Sequence, residues 1–135
     1  MKRSLILFAS VCSVMLFMAG YPFAETAGQE VELSIRHSKF TPEELTVRVG
    51  QAVTFVIDNT DPIDHEFILG DEAVQLRHEL GTESKHDEIP TEVSVLAKET
   101  IRTTIVFDKP GTLIIGCHLP GHYDYGMRAS VRVRT

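Results

Sequence analysis

An all-β sandwich of about eight short strands is the fold class this sequence predicts, and three observations carry that reading. Apolar and polar residues alternate with a period of two in one short run after another, the signature of half-buried strands. NTDP, DKPG and LPGH set turn chemistry between several of these runs. No sustained helical period replaces the alternation, and a Greek-key arrangement is the common way to bury two such sheets against each other.

Residues 1–27 stand apart from that pattern. Lys2 and Arg3 precede the uncharged run SLILFASVCSVMLFMAG, and small and polar residues follow it. This is the layout of an export signal cleaved near Ala24 or Ala27, with a retained membrane anchor as the alternative because the run approaches the length of a bilayer span. One domain, residues 28–135, then remains, and no stable membrane insertion is expected of it after cleavage. Cys12 goes with the leader, which leaves Cys117 as the only cysteine of the exported part. A single thiol cannot form an internal disulfide, so in an oxidising compartment it must be buried or hold a metal.

The strands follow in order. Residues 31–37 (VELSIRH), 44–49 (ELTVRV) and 53–58 (VTFVID) come first, then HEFILG from His65, EVSVLA from Glu92, IRTTIVF from Ile101, TLIIGC from Thr112 and MRASVRV from Met127. Residues 71–90 break the alternation. There Val74, Leu76 and Leu80 suggest a short helix or irregular loop docked on the sandwich with its charges in water.

The chain has 13 basic and 19 acidic residues and a net charge of −6. No Lys/Arg cluster is present to neutralise phosphates, which argues against a nucleic-acid binder. The acidity is compatible with steering toward a basic partner.

Chemistry concentrates in GCHLPGHYDYGM. Cys117, His122 and Met127 are separated by two equal gaps of four residues within one loop between predicted strands, with Gly116, Gly121 and Gly126 easing the path and Pro120 stiffening it. Thiolate, imidazole and thioether are soft donors that select copper, and the arrangement lacks only a second imidazole. His65, at a strand start just after NTDPID, is the best source. His65, Cys117 and His122 would then form a trigonal plane, with Met127 as the weak axial ligand. Zinc stays open, since Cys and His also bind it. His118 follows Cys117 directly, so strand geometry aims it away from the thiolate, toward solvent or the opposite face. A structural or surface role is preferred for it over a second metal or an electron exit. His37, His78 and His86 are expected to face solvent, although residues 78–88 could bind exchangeable copper weakly.

His65 in DHEFILG, taken with GCHLPGHYDYGM, resembles the cupredoxins, the small type 1 blue-copper proteins, with a rusticyanin-like spacing of the ligand loop. The likeness extends over about residues 31–134. It implies a Greek-key sandwich, one copper ion held near one pole by His65, Cys117, His122 and Met127, and reversible one-electron transfer in the bacterial periplasm. Partners would be redox proteins such as a cytochrome or a copper-containing oxidoreductase, and the protein an electron carrier rather than an enzyme. A periplasmic copper carrier is the alternative. Two departures stand out: Glu66 where many members have Asn, and His118 where several have Ser or Thr. Multicopper oxidases flank this cysteine with a histidine on both sides, whereas Gly116 precedes it here. Tyr123 and Tyr125 are read as edge packing rather than as shields of the site.

Overall fold

The computed structural model describes residues 28–81 and 89–135; the expected leader and His86 lie outside them. Among the described residues nine strands and one helix run in the order β1 (Gln29–Ile35), β2 (Phe40–Thr41), β3 (Glu44–Arg48), β4 (Ala52–Asn59), β5 (His65–Gly70), α1 (Glu72–Leu80), β6 (Glu92–Val95), β7 (Thr100–Val106), β8 (Gly111–Gly116) and β9 (Arg128–Arg134). All eight strands read from the alternation are present. The ninth, β2, has two residues, too few to show a period.

The strands form two separate sheets, a sandwich rather than a closed barrel, in the orders β2-β1-β4-β7 and β3-β9-β8-β5-β6. Both are mixed: β1 lies parallel to β4 and β3 parallel to β9, while the remaining pairs are antiparallel. Alternation does what the period demands. In β1, Val31, Leu33 and Ile35 turn inward, and in β4 so do Val53, Phe55 and Ile57. Facing them from the second sheet are Phe67, Leu69, Ile115, Val131 and Val133. Phe55 and Phe67 meet across the interface at a centroid separation of 5.3 Å and a tilt of 51°. Each such side chain contributes on the order of 1.5–3 kcal/mol by leaving water.

Strand β5 departs from the alternation because every one of its residues is buried. Its inner face, Phe67 and Leu69, joins the core, and its outer face lies beneath α1, which packs on β5 and β8. Asp71 caps the helix by accepting from the N–H of Val74 at 3.0 Å. Val74 lies so close over Gly70 that a Cβ there would meet it at 2.4 Å. The rest of the helix overturns the expectation of an apolar docking face. Leu76 and Leu80 point to solvent, the latter 77% exposed, and the residue buried on α1 is Gln75.

Strand order positions the site. Strands β5 and β8 are neighbours, with Ile68 opposite Gly116. The start of β5 and the loop leaving β8 therefore meet at one pole of the sandwich, over the end of the core.

Candidate metal centre

His65 opens β5, and Cys117 follows the last residue of β8. The Sγ of Cys117 lies 3.9 Å from Nδ1 of His65 and 3.3 Å from Nδ1 of His122. One ligand atom from each of these three residues falls within 4.8 Å of the others. His65 and Cys117 are buried and His122 half-buried, so the cluster is closed on the core side and partly accessible at His122. The two imidazole rings are 5.1 Å apart. Met127 is buried in the same cluster of apolar side chains as Cys117.

The loop that carries three of these residues is tied at both ends. The N–H of Cys117 donates to the carbonyl of Met127 at 3.2 Å, and the N–H of Met127 donates to the carbonyl of His122 at 3.0 Å. Tight turns fill the interval: His122 donates to Leu119, Tyr125 to Gly121 and Gly126 to Tyr123. Gly121 and Gly126 have φ of +83° and +88°, values in the left-handed region that glycine takes without steric cost. The loop is thus folded by its own backbone bonds.

Each core-side donor has its own support. Nε2 of His65 faces Oδ2 of Asp61 at 3.0 Å, which directs Nδ1 toward the thiol. Asp61 is itself cradled: its carboxylate accepts from the N–H of His37 and of Ser38, both at 2.7 Å. His37 and Ser38 are neighbouring non-glycine residues with φ near +50°, an uncommon pair of left-handed conformations that aims both N–H groups at one carboxylate. Burial works against the charged form of Asp61, yet these donors and His65 together hold its carboxyl below the usual value. Burial also pushes the His65 imidazole below its ordinary value, over the opposing pull of Asp61.

The thiol of Cys117 accepts from the N–H of Glu66 at 3.4 Å. Burial pushes it up to about 11, and the N–H groups of Leu119 and Glu66 pull the other way. Without a metal this buried thiol keeps its proton at neutral pH; a soft cation replaces the proton and stabilises the thiolate. Two imidazoles, one thiolate and a thioether from the same buried cluster form a donor set that fits copper.

The cupredoxin-like domain matches residues 7–128. The chain belongs to this family.

Among known relatives, this cupredoxin is 35% identical over 99 residues to the "copper-resistant cuproprotein CopI" of Rubrivivax gelatinosus, a match covering 71% of the chain and 60% of the relative. The protein of the same name from Pseudomonas aeruginosa is 26% identical over 144 residues, covering 82% of the chain and 79% of the relative. The chain therefore spans about three-fifths of the Rubrivivax protein's length. In structure the cupredoxin is similar to auracyanin A, a "blue" copper protein of Chloroflexus aurantiacus. The TM-score is 0.63 at 24% identity, over 78% of this chain and 98% of that one.

The other histidines divide. His37 is exposed, as expected. His118 turns away from the thiol to the opposite face, where it is enclosed: its side chain is 3% exposed. His78 corrects the expectation of a solvent-facing residue. Its side chain is only 6% exposed, with Nδ1 at 3.0 Å from the carbonyl of Val74 and Nε2 at 3.3 Å from Glu92. Tyr123 stacks on His118, whereas Tyr125 is 87% exposed. Asp61 was missed by sequence reasoning, although a carboxylate four residues before His65 in a turn was the available signal.

Proposed function

We propose that this cupredoxin is an exported, periplasmic type 1 copper protein that carries single electrons between redox partners, one copper ion being held by His65, Cys117, His122 and Met127. Its partners are redox proteins such as a cytochrome or a copper-containing oxidoreductase. The observation that carries this reading is the convergence of Nδ1 of His65, Sγ of Cys117 and Nδ1 of His122 beside the buried Met127.

Bound copper supplies a one-electron Cu(I)/Cu(II) couple. The protein's part is to keep the donors still while the charge changes, because an immobile donor set minimises rearrangement between the two oxidation states. Asp61 holds His65, the N–H groups of Glu66 and Leu119 support the thiolate, and the backbone turns of the loop hold His122. The half-buried His122 provides the edge through which an electron leaves.

A substrate-transforming copper enzyme fits less well. Its bridge to further copper ions would need a histidine before Cys117, where this chain has Gly116, and a side chain there would displace its neighbours. A Cβ there would meet Oε1 of Gln75 at 2.4 Å and the Tyr123 ring at 2.8 Å.

Adding Cu(II) anaerobically to the apo-protein tests the proposal. The expected result is an intense thiolate-to-copper band, narrow hyperfine splitting in the electron paramagnetic resonance spectrum and reversible cycling. A weak, ordinary Cu(II) spectrum or no stable binding overturns it. The names of the relatives, copper-resistant cuproproteins, favour a second reading as a copper carrier. Fast Cu(I) transfer to an apo-acceptor without useful redox cycling would replace electron transfer with delivery.

A further inference from the structure

Helix α1 is built inside out, with Leu76 and Leu80 in solvent and Gln75 buried. Burying an amide is costly unless its hydrogen-bonding capacity is used, and Gln75 uses it across three elements. Its Nε2 donates to the carbonyls of Ile68 on β5 and Ile114 on β8, at 3.0 and 2.9 Å. With both donors committed to carbonyls, Oε1 is left to accept, and Nε2 of His118 lies 2.7 Å from it. The other ring nitrogen of His118 faces Oε2 of Glu79, one helical turn further along, at 2.8 Å. Tyr123 stacks on the imidazole at 4.5 Å and 21°, and the guanidinium of Arg128 lies over the tyrosine ring, 5.3 Å from its centroid.

His118 is peptide-bonded to Cys117, and that peptide is gripped as well. The N–H of His118 donates to Oε2 of Glu66 at 3.1 Å, while the N–H of Glu66 donates to the thiol of Cys117 at 3.4 Å. The ring, the backbone N–H and the neighbouring sulfur are therefore fixed from α1, from β5 and from the loop itself. An apolar contact would hold the helix down equally well but leave His118 free to turn; directional hydrogen bonds do not.

From this we infer that Gln75 and His118 are positioning residues for Cys117: helix α1 sets the direction of the thiol through the Gln75–His118 hydrogen bond. The inference rests on the reading of Cys117 as a copper ligand. Residues that orient metal ligands change affinity by about 10- to 100-fold when altered, and a device one residue removed belongs near the lower end of that range.

Gln75→Met keeps the volume and removes the hydrogen bonds; His118→Phe keeps a ring against Tyr123 and removes both of its own. Leu80→Ala, on the exposed face of the same helix, is the control. Two readouts are needed on the purified protein and its variants: the copper affinity, spectra and reduction potential on Cu(II) loading, and the rate at which a thiol reagent labels Cys117 in the apo-protein. Both single variants should bind copper about tenfold more weakly, move the thiolate band and potential, and label faster, while Leu80→Ala matches wild type. The double variant should be no worse than the stronger single one, because both break one device. Lowered melting temperatures with unchanged spectra, potential and labelling overturn the inference and reduce the contact to helix anchoring. Additive effects in the double variant also overturn it. If wild type itself lacks a blue-copper spectrum, the copper reading fails, and the labelling rates still decide whether the clamp directs the thiol. If Gln75→Met does not fold, His118→Phe alone decides on the same two readouts.

Discussion

The two imidazoles that flank Cys117 are held in opposite ways. His65 begins a strand whose every residue is buried; its side chain is fully enclosed and bound to a carboxylate that two backbone N–H groups hold in turn. His122 sits in a loop, half-buried, with its place set by backbone turns and its ring next to the open edge. One side of the site is scaffold and the other is doorway. On the proposed reading, a centre that must stay rigid and still exchange an electron needs both, and here they are assigned to different parts of the chain.

The largest test of that contrast removes each ring in turn. His122→Gly should lose the blue-copper spectrum and regain it when imidazole is added, because the vacated space opens to solvent. His65→Gly should lose it and stay unresponsive, since its position is closed on the core. Equal rescue of both, read in the visible spectrum, would erase the distinction.

A smaller effect is expected one step back. Asp61→Asn weakens the hold on His65 and should reduce copper affinity by about 10- to 100-fold, as measured by competition with a chelator. Acid should act through the same pair. The Asp61 carboxyl and the His65 imidazole are both held below their ordinary values, 3.8 and 6.5, so the unfolded chain takes up protons before the folded one. Their contribution to apo-protein stability is therefore present above those values. It is lost as the pH falls, first below 6.5 through His65 and then below 3.8 through Asp61. Asp61→Asn should flatten the lower part of a plot of melting temperature against pH.

The smallest effect lies at the alkaline end. Cys117 is raised from 9.0 to about 11, so its contribution to the apo-protein is complete below pH 9 and fades as pH climbs toward 11. Copper loading should abolish that loss, because the bound thiolate no longer carries the proton. An alkaline melting curve that is the same with and without copper would count against Cys117 as a ligand.

Much of this architecture is legible in the residues. Period-two alternation marks eight strands, and the equal spacing from Cys117 to His122 to Met127 marks a loop that the fold closes as one unit. What escapes is informative. Helix α1 hides because amphipathic reasoning expects Leu76 and Leu80 to face inward, whereas Gln75 is satisfied by two sheet carbonyls and a histidine. His78 hides for a related reason: charged neighbours suggest water, but Glu92 from β6 meets the ring. The cradle of Asp61 depends on two consecutive left-handed residues, His37 and Ser38, whose side chains do not announce that conformation.

The hairpin between β8 and β9 closes where Gly116 pairs with Arg128. Three of the four proposed donors lie within that closure, and the fourth lies on a different strand in a different segment of the chain. In evolutionary terms the loop is a cassette: a single exchange of sequence can replace three donors together while the sandwich and His65 stay as they are. Variation in colour, potential or exchange rate can then be inherited as one short block, without renegotiating the fold that supports it.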